Sequence, residues 1–200
     1  MIIEVLGAPG AGKTTLLRSI GHSEKYRILN LDTLLSEDDT FDLALAALSN
    51  PGLAVSLLTL VRRGRARSTL RLLVRDRQQR RAAGTSYVFV VDDGALHRLL
   101  WLLSMSCWRE QCDVLSSYIT RPDLALFLPV DADVALARVG RRQLGGDALL
   151  RVERPIALGS VRRYGRLAKE WCEASGVPFI VVDGPRDAAA IIEAHSGART

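Results

Sequence analysis

The chain is poor in lysine. Lys13, Lys25 and Lys169 are its only three, so arginine supplies the other 24 of 27 basic residues. Cysteine is equally scarce: Cys107, Cys112 and Cys172 form an odd set with no Cys-x-x-Cys pair. That pattern excludes a disulfide framework and argues against a structural zinc. The expected reading is three small buried hydrophobes in a reducing compartment. Long unbroken apolar runs are also missing. The stretch 41–61 is apolar, but Asp42, Asn50, Pro51 and Gly52 interrupt it, and a membrane-spanning helix needs ~20 mostly apolar residues. Met1 runs directly into apolar residues, without the basic region and cleavage site of a signal peptide. The expectation is a cytoplasmic protein without a membrane partner, and no internal repeat or low-complexity tract alters it.

What is present is a soluble domain's composition. The chain has 200 residues, 48% hydrophobic and 24% charged, which fits one globular domain. The net charge is +5 and the pI about 9.5. A basic excess points to anionic partners: nucleic acid, acidic lipid or phosphorylated small molecules. Composition does not choose among them.

Hydrophobic patterning supplies the architecture. Expected strands are Ile2–Leu6, Tyr26–Leu31, Tyr87–Val91, Leu124–Val130 and Val177–Val182. The run at 87–91 is aromatic and β-branched without alternation, as in a strand buried on both faces of a parallel sheet. Helical patterns cover about 13–20, 39–83 (broken at Asn50-Pro51-Gly52 and loosened near Gly64), 95 onward, 132–142, 156–175 and 188–195. Strands alternating with helices predict an open, mostly parallel α/β sheet.

The strongest chemical signal is Gly7-Ala8-Pro9-Gly10-Ala11-Gly12-Lys13-Thr14, which fits GxxxxGK[ST] at every fixed position. Glycines let successive backbone N–H groups turn inward around an anion, and the helix opening at Lys13 aims its positive end at the same point. In this loop lysine reaches the β- and γ-phosphates and the threonine hydroxyl ligates Mg²⁺. The preceding strand and following helix supply the context the motif requires. Thr15 belongs to the same phosphate-binding set.

Phosphoryl transfer also needs a carboxylate for the metal or its waters, and often one for the incoming hydroxyl. Asp92 and Asp93 end the strongest strand, where ligands gather in α/β sheets. Adjacent side chains point to opposite faces, so one is expected to serve the metal and the other the acceptor or a helix cap. Asp32, ending the second strand, is a rival base or an N-cap.

Arginines form two groups. Arg138, Arg141, Arg142, Arg151 and Arg154 flank Gly145-Gly146 and suit a lid that closes over triphosphate; Arg162, Arg163 and Arg166 follow. Arg62 to Arg81 forms a second cluster, with Arg67, Arg71 and Arg75 on one helical face and Leu70, Leu73 and Val74 on another. Hydration is its favoured reading, since no interleaved aromatics accompany it to suggest RNA. Trp101 and Trp108 share a helical face, with core packing favoured over stacking on a planar substrate. His97 is expected as a surface or hydrogen-bonded residue.

Four segments together carry a family resemblance: 7–16, 88–94, 123–142 and 177–187. They resemble the P-loop nucleoside and nucleotide kinases, especially the thymidylate-kinase-like and deoxynucleoside-kinase-like groups. The match spans most of the chain and is weakest at 33–86. It implies a three-layer α/β/α fold, a five-stranded parallel sheet of order 2-3-1-4-5 and an arginine-bearing lid at about 139–156. The single domain would cover 1–200, with substrate-side helices at about 39–83. It further implies that Arg138 is the first lid arginine and Arg142 its companion, and that Asp183 to Arg186, including Gly184 and Pro185, surrounds adenine. One departure stands out. Those groups carry Asp-Arg or Glu-Arg at the third strand's end, where this chain has Asp92-Asp93-Gly94.

The resulting expectation is an ATP- and Mg²⁺-dependent phosphotransferase acting on a nucleoside or nucleotide. Lys13 would act on the γ-phosphate, Thr14 and Asp92 at the metal, Asp93 at the acceptor hydroxyl, and Arg138 and Arg142 over the phosphates. Chloramphenicol-phosphotransferase-like and shikimate-kinase-like proteins keep a non-nucleotide hydroxyl acceptor open, and such a reading promotes Asp32. An NTPase or a nucleotide-binding regulator is the alternative from another class. The expected partner is a small-molecule acceptor, not nucleic acid, with a homodimer left open.

Overall fold

A computed structural model describes residues 1–21, 23–30, 55, 66–105, 115–141 and 154–197. Five parallel strands form one sheet: β1 (Ile2–Leu6), β2 (Tyr26–Asn30), β3 (Val88–Asp92), β4 (Leu124–Phe127) and β5 (Phe179–Val181). Their order is β2-β3-β1-β4-β5, as the resemblance implied. The helices are α1 (Lys13–Ile20), α2 (Ala66–Ala83), α3 (Ala95–Met105), α4 (Ala132–Arg141), α5 (Arg154–Ser175) and α6 (Pro185–Gly197).

Strand alternation divides the core. Ile3 and Val5 of β1 and Val88 and Val90 of β3 pack with Leu16, Leu17, Ala188 and Ile192, so α1 and α6 cover one face. Leu6 packs on the other face with Leu72, Leu96, Leu99, Leu100 and Tyr164 from α2, α3 and α5. All five residues of β1 are buried, which explains its continuous apolar run. Glu4 is the exception in kind, a carboxylate with no exposed surface in the middle of the central strand.

Several boundaries differ from the sequence reading. Tyr87 lies outside β3 and is exposed, with the Arg27 guanidinium 3.8 Å from its ring centroid. β3 runs on to Asp92, because Asp92 pairs with Val5 and Asn30 on either side. β4 stops at Phe127, not Val130, and β5 spans only Phe179–Val181. α6 begins at Pro185, not Ala188, because proline's fixed φ suits the first helical position. α5 starts two residues earlier than expected, at Arg154. Within 39–83 the described helix is Ala66–Ala83. Cys172 is buried as expected, and burial pushes its thiol up to about 12.

Among the described residues no helix is long and apolar enough to cross a membrane.

Candidate active site

The loop after β1 is held on three sides. Gly10 has φ +85°, and a Cβ there would overlap the Ala135 carbonyl of α4. Only glycine meets both the left-handed backbone and that close approach. Arg138, from the last turn of α4, reaches over the loop, its guanidinium 3.2 Å from the Gly10 carbonyl and 3.5 Å from that of Ala11. Lys13 folds back to donate to the Gly7 carbonyl at 2.8 Å. No side chain caps the N-terminus of α1, which leaves that end to an anion.

Asp92 and Asp93 diverge as strand geometry requires. Asp92 shares the β3 face of Val88 and Val90 and so points toward α1. There it accepts a hydrogen bond from the Thr14 hydroxyl at 2.9 Å. Its other oxygen, Oδ1, is buried without a hydrogen-bond partner. A hydroxyl beside a carboxylate with a spare buried oxygen fits Mg²⁺, a hard cation that takes oxygen ligands. Among the described residues no group of three or more His, Cys, Asp or Glu could hold a metal ion.

Asp93 turns the opposite way through a positive φ of 61°, a conformation that aspartate tolerates better than most residues. Arg98 of α3 pairs with its Oδ2, and Arg75 of α2 lies 3.3 Å from the same oxygen. His97 Nε2 stands 3.5 Å from Oδ1. Burial raises the Asp93 pKa against the pull of Arg98, Arg75 and Lys13. Arg75 thus corrects the hydrated reading of its cluster: it is 6% exposed and paired. Leu73 and Val74 beside it are buried as expected.

A second layer of polar contacts lies beneath. Glu4 Oε1 accepts from the His97 amide at 2.6 Å, the Leu96 amide also bonds the carboxylate, and Oε2 accepts from Gln79 Nε2 at 3.0 Å. Gln79 Oε1 in turn accepts from the Ala95 amide at 3.0 Å. The three first-turn amides of α3 are thereby capped by β1 and α2 rather than by a local side chain. Gly94 makes room for this, since a Cβ there would sit 2.5 Å from Glu4 Cδ. Burial raises the Glu4 pKa to about 7, although these hydrogen bonds favour the charged form.

His97 is buried, not at the surface, and its Nδ1 lies 2.6 Å from the Tyr164 hydroxyl of α5. Trp101 packs on Tyr164 with ring centroids 6.1 Å apart, in line with core packing.

Lys13, Thr14, Asp92, Asp93 and Arg138 therefore converge at the carboxyl end of the sheet. Gly184 and Pro185 open α6 at the end of β5. Asp32, Arg142, Arg151 and Trp108 lie outside the described residues. Sequence reasoning missed Glu4, Gln79, Arg98 and Tyr164. Only Glu4 carried a signal, as the one charge inside an apolar strand.

This arrangement is the fold of the P-loop nucleoside and nucleotide kinases. Among solved structures, deoxyadenosine kinase from M. mycoides with bound dATP matches with a TM-score of 0.59 at 19% identity, over 99% of this chain and 98% of that one. The same enzyme with bound dCTP matches with a TM-score of 0.55 at 18% identity. Thymidylate kinase from Candida albicans matches with a TM-score of 0.53 at 14% identity, over 98% of this chain and 91% of that one. No family model and no curated protein sequence matches the chain.

Proposed function

We propose that the protein is an ATP- and Mg²⁺-dependent phosphotransferase acting in the cytoplasm on a nucleoside or nucleoside monophosphate. The observation that carries this reading is the 2.9 Å contact between the Thr14 hydroxyl and Asp92, beside a phosphate loop with an uncapped helix end. Backbone amides within the loop 7–15, excepting Pro9, which has none, and Gly7, whose amide meets Tyr164, bind the β- and γ-phosphates. Lys13 exchanges its Gly7 carbonyl for a γ-phosphate oxygen, which neutralises charge where it builds up in transfer. Thr14 and Asp92 would hold Mg²⁺, which would supply screening of the phosphate charge. Arg138 moves from the loop carbonyls to phosphate, with Arg142 proposed as its companion there. The residues around Gly184 and Pro185 flank the base of ATP.

With a nucleoside as acceptor, Asp93 accepts a hydrogen bond from the reacting hydroxyl and orients it in line; a monophosphate would instead present a phosphate oxygen, with Arg75 and Arg98 nearby. Phosphoryl transfer through a loose transition state needs positioning more than a strong base, so a carboxylate paired with arginines suffices. Asp32 remains a rival for this role. Two guanidiniums, Arg75 and Arg98, stand at the Asp93 carboxylate, which places basic groups on the acceptor side. This supplies the charge that the absent Asp-Arg pair would bring.

Thermal melts with a non-hydrolysable ATP analogue and Mg²⁺ test the proposal, over a panel of nucleosides, their monophosphates, sugars and hydroxylated antibiotics. The analogue should raise the melting temperature, and a nucleoside or monophosphate should raise it further. A further rise from a sugar or antibiotic alone would replace the nucleotide acceptor with a small hydroxyl compound. No response to the analogue would remove the phosphate-site reading.

A further inference from the structure

We infer that Tyr164 is a positioning residue that orients Asp93 through His97, linking α5 to the acceptor side of the site. The inference rests on the proposed role of Asp93. A buried phenol must donate its O–H to something, and the acceptor here is His97 Nδ1 at 2.6 Å. Tyr164 has no exposed surface, and burial holds its pKa well above the usual value, so the proton stays on oxygen. His97 Nδ1 is then an acceptor, and its ring proton must sit on Nε2. Nε2 stands 3.5 Å from Asp93 Oδ1, a buried oxygen that has no hydrogen-bond partner, so a proton on Nε2 lies beside the one Asp93 oxygen that lacks a donor. Burial keeps His97 neutral, and Lys13, Arg98 and Arg75 act in the same direction.

The result is a directed chain from Tyr164 to His97 to Asp93. Arg98 and Arg75 take one Asp93 oxygen and the oriented imidazole faces the other, so α2, α3 and α5 jointly fix the carboxylate. Tyr164 also interacts with the Gly7 amide at the start of the phosphate loop. Tyr164→Phe keeps the ring and removes only the hydroxyl. His97 is then free to move its proton to Nδ1, which turns a lone pair toward Asp93.

The test is side-chain ¹⁵N NMR of histidine in the intact protein at neutral pH, with and without Tyr164→Phe. The wild type should show His97 as a neutral, Nε2-protonated imidazole. The variant should populate the Nδ1-protonated form and shift the Asp93 carboxyl ¹³C resonance. A wild-type Nδ1–H tautomer, or an unchanged His97 and Asp93 in the variant, overturns the proposal. Should the variant fail to fold, His97→Gln against His97→Leu decides. The amide can accept from Tyr164 and donate to Asp93, so Gln should keep the Asp93 resonance nearer wild type than Leu does; equal displacement contradicts the chain. Once an acceptor is known, Tyr164→Phe should lower kcat by about tenfold while the KM for ATP moves much less. A lower melting temperature with kcat retained would make Tyr164 merely structural. The NMR arms need no substrate, so they stand even if the kinase reading fails.

Discussion

At the scale of single residues, Gly94 shows how a small side chain can serve chemistry placed elsewhere. It follows Asp93 and leaves room for Glu4 and Gln79, which lie 2.5 and 2.6 Å from where its Cβ would be. Both neighbours are buried and hydrogen-bonded, so neither can swing away cheaply. Gly94→Ala should therefore cost about 1–3 kcal/mol, the range for overpacking a tight core, as read by urea unfolding. A variant as stable as wild type would mean that Glu4 and Gln79 are less fixed than they stand here. Legibility at this scale was uneven. The divergence of Asp92 from Asp93 followed from strand alternation alone. The partners of Asp93 did not, because Arg75 comes from another helix and its arginine-rich neighbourhood reads as a hydrated face.

At the scale of elements, α3 depends on a cap from β1. Glu4 closes its first turn, and a pKa raised to about 7 from 4.5 ties that cap to pH. Below about 4.5 the group is protonated in both folded and unfolded chains and carries no penalty. Between 4.5 and 7 the unfolded chain ionises first, so this group's contribution falls as pH rises. The loss levels off near pH 7 at about 3 kcal/mol, at 1.36 kcal/mol per pKa unit. His97 works in reverse: its lowered pKa makes stability fall as pH drops below about 6.5. Comparing wild type with Glu4→Gln cancels the His97 part. The variant should gain on wild type by about 3 kcal/mol between pH 4.5 and 7.5 in denaturant titrations; a constant difference would contradict the buried-acid account. The elements themselves were largely legible, since β1, β3, α1 and α3 carry strong local patterns. Their ends were less so, because strand ends follow pairing across the sheet and α6 begins on the fixed φ of Pro185.

At the scale of the whole molecule, the arginine-rich excess divides. Arg138 lies on the phosphate loop, Arg75 and Arg98 on Asp93, and Arg27 on the ring of Tyr87. The sheet order was legible only through the family resemblance, since strand periodicity cannot rank neighbours. The phosphate loop was legible outright, because its chemistry lies in one contiguous segment. On the proposed function, this loop supports transfer rather than simple hydrolysis. The most direct test follows labelled γ-phosphate from ATP, with Mg²⁺, onto nucleosides and nucleoside monophosphates, comparing wild type with Lys13→Ala. Transfer should depend on the acceptor and fall by about 10²–10³ in the variant, the usual cost of one charge-stabilising group. Hydrolysis indifferent to any acceptor, or transfer undiminished without the lysine, would contradict the proposal.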